Sequence, residues 1–304
     1  MTINIPEVSV IIPCRNGGNY LIKQLHHLSH QVKNPSFEVI ISDNGSTDGA
    51  PQRALDSFMG ILNLTVVDSS QIAGISYARN IGAEYARGKY LLFCDADDYV
   101  EPEWISEIYA GFVENSADIV GGQLIHSKIN SPDLLKSYGI TEIIDDEPKR
   151  FTQADQLKPI FGYYPSVAGC NFGVTRQVYR GLGGMDLSFV GGSEETDFTW
   201  RVLENGGKIV FANKARVNYR LRSTLKGIFK QNFNYQKTKV LLWTRYRTKG
   251  MSGPSIKYSV VAILKHLPGF YRKESRLEAA RIIGGNLGAL AGIYRYFFKE
   301  KFIR

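Results

Sequence analysis

The chain has 304 residues, room for one large unit or two, and its 43% hydrophobic and 22% charged residues exclude both a disordered chain and a multi-span membrane protein. Cys14, Cys94 and Cys170 are too few and too scattered for a disulfide framework or a structural zinc site, which fits a reducing cytoplasm. The net charge of +8 is split: residues 1–224 carry 20 Lys and Arg against 26 Asp and Glu, net −6, while residues 225–304 carry 17 against 3, net +14, so the last quarter suits an anionic partner.

The amino end has no basic residue before Arg15, which predicts neither a signal nor a transit peptide. Residues 8–12 read as a buried strand stopped by Pro13, and Tyr20, Leu21, Leu25 and Leu28 then share a helical face. A second strand, 37–42, closes on Asp43 and an Asn-Gly-Ser-Thr-Asp-Gly corner, and 64–67 is a third. Ile75, Ala78, Gly82 and Tyr85 suit a helix packed closely on a sheet. A fourth strand, 89–94, runs into Asp95, Ala96, Asp97 and Asp98. This alternation predicts an α/β fold with a Rossmann-like, mostly parallel sheet covered by helices on both faces. Ligands of such sheets bind beyond the carboxyl ends of the strands, where residues 13–16, Asp43 and residues 95–98 converge.

Between 120 and 193 the periodicity loosens, which we read as the second half of the same unit. A firm helix returns at 196–205, ended by Gly206 and Gly207, and a strand follows at 208–211. Beyond 225 the chain is basic, aromatic and helical. There Ile283, Leu287, Leu290, Tyr294 and Phe297 form a helical stripe, with Gly284, Gly288 and Gly292 beside it at a spacing that admits close approach. The uncharged run 282–294 has 13 residues, short of the about 20 that a span needs. The stripe suits a helix packed on its own domain or one lying on a membrane, and the charge asymmetry favours the membrane.

The acids carry the chemistry. Asp95, Asp97 and Asp98 crowd the end of an apolar strand, and a hard divalent cation with substrate phosphates relieves their repulsion. A solvated turn with a helix cap near Glu103 is the alternative. Asp43, at the same edge, is placed to accept hydrogen bonds from a base or ribose, or simply to form its turn. No G-x-G-x-x-G follows the first strand and no G-x-x-x-x-G-K-[ST] occurs, which disfavours a dinucleotide cofactor and a P-loop.

Four motifs, Val-Ser-Val-Ile-Ile-Pro-Cys-Arg-Asn (8–16), Asp-Asn-Gly-Ser-Thr-Asp-Gly (43–49), Ala-Arg-Asn-Ile-Gly (78–82) and Leu-Phe-Cys-Asp-Ala-Asp-Asp (92–98), resemble glycosyltransferase family 2 in order and spacing. Weaker likeness extends to about residue 240. The resemblance implies a GT-A fold over residues 1–224, with a nucleotide-sugar half (1–120), an acceptor half (121–224) and a helical extension (225–304). It also implies a nucleotide-diphosphate sugar donor, Mn²⁺ or Mg²⁺, and inversion at the anomeric carbon. Carried over by position, Pro13, Cys14, Arg15, Asp43, Arg79, Asp95 and Ala96 would line the nucleotide pocket. Asp97 would hold the metal, with Asp98 as a helper.

The stretch Gly-Gly-Ser-Glu-Glu-Thr-Asp (191–197) matches the acceptor side, where relatives usually have Glu-Asp with the second acid as base. Glu195 holds that place one methylene longer, with Asp197 or Glu194 as alternatives, although acids in a first helical turn also favour the macrodipole. Glu194, Asp197, Trp200 and Gln231 would face the acceptor. Many relatives complete the metal shell with a histidine after the last core strand, and this chain has Asn218 there. The expected activity is single-displacement transfer from a nucleotide sugar, UDP-linked as first choice, to a glycan or lipid-linked acceptor. The expected location is peripheral, on the cytoplasmic face of an anionic membrane. The rivals are a sugar nucleotidyltransferase, a donor-binding relative without catalysis, and a nucleic-acid binder. Nucleic acid is not expected, since no helix-turn-helix, zinc or RNP pattern supports it.

Overall fold

The structure, a computed structural model, describes residues 5–142, 144–145 and 147–299. The first four residues of the amino end and the last five of the basic extension lie outside them. In chain order the elements are β1 (Val8–Cys14), α1 (Gly18–Ser29), β2 (Phe37–Asp43), α2 (Ala50–Phe58), β3 (Leu64–Asp68), α3 (Ile75–Tyr85), β4 (Tyr90–Cys94), β5 (Tyr99–Val100), α4 (Trp104–Asn115), β6 (Ile119–Ile125), α5 (Pro132–Tyr138), β7 (Phe151–Gln153), β8 (Asn171–Thr175), α6 (Arg176–Gly181), α7 (Glu194–Glu204), β9 (Ile209–Asn218), α8 (Leu225–Tyr246), α9 (Ile256–His266) and α10 (Arg276–Gly292).

The sheet runs β3-β2-β1-β4-β8-β6-β9-β5, with β7 against β9. β1, β2, β3 and β4 are mutually parallel, β8 runs antiparallel to β4 and β6, and β6 and β9 are parallel again. Every residue of β1 is buried because helices cover both faces. Val8, Val10 and Ile12 join Leu21, Leu25 and Val39 on one face, while Ile11 joins Ile40, Phe93 and Phe172 on the other. Gly82 shows how tightly α3 seats: a Cβ there would lie 2.5 Å from Ile11 Cγ2.

The glycine stripe of α10 is consumed inside the protein. A Cβ at Gly284 or Gly292 would come within 2.8 Å of the Phe229 or Lys237 carbonyl oxygen, and one at Gly288 would overlap that of Phe233. Each step of four on α10 meets a step of four on α8, so the two helices run parallel in contact. Small residues allow backbones to approach, and here the backbone approached is that of α8, so the glycines serve a helix packed on its own protein; of the apolar stripe beside them Ile283 is buried, while Leu287 and Tyr294 stay exposed.

Candidate active site

Parallel strands bring their carboxyl ends to one edge, and two adjoining hollows open there. The smaller, about 380 Å³, is lined by Pro13, Cys14, Arg15, Asn44, Ala96 and Tyr20, and shares Asp95, Asp97 and Arg222 with the larger. The larger, about 890 Å³, adds Arg79, Glu194, Glu195, Tyr219, Gln231 and Lys239. Asp43 sits at the end of β2 beside Cys14 in register, and its Oδ1 accepts from the Ser46 amide at 2.8 Å.

Arg79 lines the larger hollow and holds Asp95, which both hollows share. Its buried guanidinium donates from Nη2 to Asp95 Oδ1 and from Nη1 to Glu194 Oε1, both at 3.0 Å. Burial alone would lower its pKa, but the charges of Asp95 and Glu194 outweigh burial and the pKa is raised. One cation thereby ties the strand-end acids to the start of α7.

The loop entering α7 explains where the acids point. Gly191, Gly192 and Ser193 have φ of 100°, 138° and 71°, a left-handed run that a β-carbon strains. A Cβ at Gly192 would lie 2.7 Å from the Tyr235 ring, so this loop lies directly on α8. Glu194 and Glu195 leave it at the cleft wall. Burial, then the charge of Glu194, pushes the Glu195 carboxyl up to about 8.

Asp197 and Trp200 lie elsewhere, which corrects their expected acceptor role. Asp197 is buried and bonded to Arg201, Arg245 and Tyr246, while Trp200 is buried against Tyr163 and Tyr246 with its indole N–H on the Tyr164 carbonyl. Both residues fall on the face of α7 turned to α8 and take no part in lining either hollow.

Asp98 is likewise inward. Its Oδ1 accepts from the Arg220 amide at 2.7 Å and its Oδ2 is buried without a partner. Burial first, then Asp95 and Asp97, lifts its pKa to about 8. One oxygen each of Asp95 and Asp98 and the Cys170 sulfur lie within 4.8 Å of one another, but a buried thiol raised well above its usual pKa is a poor donor to a hard cation. Asn218 gives its amide to Glu101 and the Tyr99 carbonyl and lines neither hollow. Strand alternation turns it from the cleft and turns Tyr219 in. Asp97 and Asp95 are two carboxylates open to both hollows, chemistry that fits a hard cation, whereas Asp98 and Asn218 line neither hollow, each keeping one buried oxygen without a partner among the described residues.

Sequence reasoning missed Arg222, whose Nη1 lies 3.0 Å from Asp97 Oδ2. It also missed Tyr20, under the Arg220 guanidinium at 4.4 Å, and Lys239, above the Phe161 ring at 3.6 Å. Arg220 and Arg222 directly follow β9, and basic residues beyond a strand end at the ligand-binding edge were the signal available.

The family described as glycosyl transferase family 2 matches residues 9–183. Glycosyltransferase GlyG of Streptococcus pneumoniae serotype 4 is 34% identical over 116 residues, 38% of either chain, so this chain spans little more than a third of that relative. Glycosyltransferase AglE of Haloferax volcanii is 25% identical over 244 residues, 80% of this chain and 76% of that one. Among solved structures, mannosyltransferase PcManGT from Pyrobaculum calidifontis, in complex with GDP-Man and Mn²⁺, superposes with a TM-score of 0.67 at 14% identity, covering 96% of this chain and 88% of that one. Residues 1–349 of Staphylococcus aureus TarS in complex with UDP-GlcNAc give 0.59 at 18%, covering 95% and 91%. These likenesses establish the GT-A fold.

Proposed function

The chain belongs to glycosyltransferase family 2, and from that premise we propose that it transfers a sugar from a nucleotide-diphosphate donor, UDP-linked as first choice, to a glycan or lipid-linked acceptor with inversion. The observation that carries this reading is that Asp95, Asp97 and Glu195, from distant stretches of the sequence, line one continuous cleft. Pro13, Cys14, Arg15 and Ala96 form the end that takes the nucleoside, with Asp43 beside them.

Asp97, supported by Asp95, would hold Mn²⁺ or Mg²⁺, which when bound supplies positive charge to the departing diphosphate. Arg222 supplies a second positive charge at the same place. Glu195 takes the proton of the acceptor hydroxyl as its oxygen attacks the sugar carbon. The bond to the diphosphate oxygen breaks on the opposite side. Glu194 acts by fixing Arg79 and by raising the basicity of its neighbour. Gln231 and Tyr235 of α8 border the acceptor end, and Lys239, which has no carboxylate partner among the described residues, suits an acceptor bearing negative charge. The basic extension holds the enzyme against an anionic membrane on its cytoplasmic face.

A panel of nucleotide sugars screened for thermal stabilisation with Mn²⁺, then with EDTA, tests the donor half. A ligand at 100 times its Kd adds about 2.7 kcal/mol, and the expected result is a rise of several degrees for one nucleotide class, diminished by EDTA. No stabilisation by any nucleotide sugar would remove the donor site from the proposal.

A further inference from the structure

We propose that α9 and the turn after it form the surface by which this protein docks on an anionic lipid bilayer. This rests on the membrane association proposed above and not on the transfer chemistry.

α9 buries Ser259 and Ala262 toward the protein, and its opposite face presents Val260, Val261 and Leu264 to solvent, with Leu264 63% exposed. A surface helix ordinarily carries polar residues there. The apolar surface continues through Leu267, Phe270 and Tyr271, the last 93% exposed. Such a contiguous patch marks an interaction surface.

Charge identifies what covers it. Residues 256–276 hold five Lys and Arg against one Glu. Lys257 and Lys265 are exposed on α9 itself, and Arg272 and Lys273 follow the turn. A bilayer with anionic headgroups offers both an apolar interior for the valines and leucines and negative charge for the lysines, whose long stems reach back to the headgroups. Tyr258 and Tyr271 suit the headgroup level. No helix among the described residues is long and apolar enough to cross a membrane; α9, with 11 residues, suits a helix lying in the plane of the bilayer.

The segment leading into α9 is tied to the cleft wall. Phe161 lines the larger hollow, and its carbonyl accepts from the Ser252 amide at 2.8 Å. Ile256 begins α9 four residues later, at most about 14 Å away along the chain.

Flotation of the full chain with vesicles of phosphatidylcholine alone, or with one third phosphatidylglycerol, tests this without donor or acceptor. The expected result is flotation with the anionic vesicles, lost at least about tenfold in Val261→Glu/Leu264→Glu and weakened about fivefold for each of Lys257→Gln and Lys265→Gln. These side chains are exposed, so the variants should keep the parent's melting temperature. If the parent floats and the double variant floats equally well, α9 is refuted while membrane association stands. If the parent does not float, both fall. If the double variant instead converts a dimer to a monomer in sedimentation, with lipid binding unchanged, the patch covers a second copy and the proposal is overturned.

Discussion

Glu195 differs from an ordinary carboxylate because it stands beside Glu194 in a partly buried cleft wall. Both burial and that neighbour disfavour its charged form and lift it to about 8. A base must be unprotonated to act, so activity should fall as pH drops through that range and rise above it, rather than level off near the usual carboxylate pKa. The pH profile of kcat/KM in the free enzyme reads this directly. Glu195→Gln should lower kcat by about 10²- to 10⁴-fold while nucleotide-sugar binding persists. A variant that kept its rate, or a profile flat from pH 5 to 9, would pass the role to another group. The stability contribution has the opposite sign: a carboxyl whose folded pKa is raised favours the fold most at low pH, and that contribution is lost as pH rises from its unfolded value through about 8.

At the scale of elements, the pairing of α8 with α10 is the tightest contact outside the sheet. Gly288 faces the Phe233 carbonyl with no room for a methyl group, and backbone cannot swing aside as a flexible side chain can. Gly288→Ala should therefore destabilise by about 1–3 kcal/mol, despite the better helix propensity of alanine, whereas the same change at exposed Gly181, where a Cβ meets nothing, should be mild. Thermal melts of the two variants decide it; equal effects would mean that α10 can slide away from α8. The same helix shows where a sequence stops being readable. Its period and its glycines foretold a close neighbour, but a stripe does not say whether that neighbour is lipid or protein. Asp95 was more legible, because it follows directly on an apolar run and a parallel sheet has one ligand edge, whereas Asp43, at the end of β2 on that edge, lines neither hollow. Asp98 was not: adjacent residues at a turn point in different directions, and its partner, the Arg220 amide, is 122 residues away. Arg222 on Asp97 was hidden by the same kind of distance.

The charge boundary near residue 224 does not coincide with a break in packing. Leu241, Leu242, Tyr246 and Met251 form one buried cluster with Phe189 and Trp200. Arg245 and Tyr246 also supply two of the bonds to buried Asp197. The wall of the larger hollow comes in part from Gln231, Asn234, Tyr235 and Lys239. We therefore propose that the catalytic unit extends through α8, so that the acidic and basic parts of the sequence make one site. A chain ended at 224 should expose the α7 face that now packs on α8. Burial of each of those four apolar side chains contributes about 1.5–3 kcal/mol, so their loss is comparable with the whole stability of a typical domain, about 5–15 kcal/mol. Such a chain should unfold or aggregate, and one ended at 255 should retain more of the fold because it keeps the buried members of the cluster, losing only Tyr296 from its edge. Denaturant unfolding of both lengths tests this. A stable, cooperative 1–224 fragment that still binds nucleotide sugar would show instead that α8 is an appendage, and that the acceptor end of the cleft is built separately from the donor end.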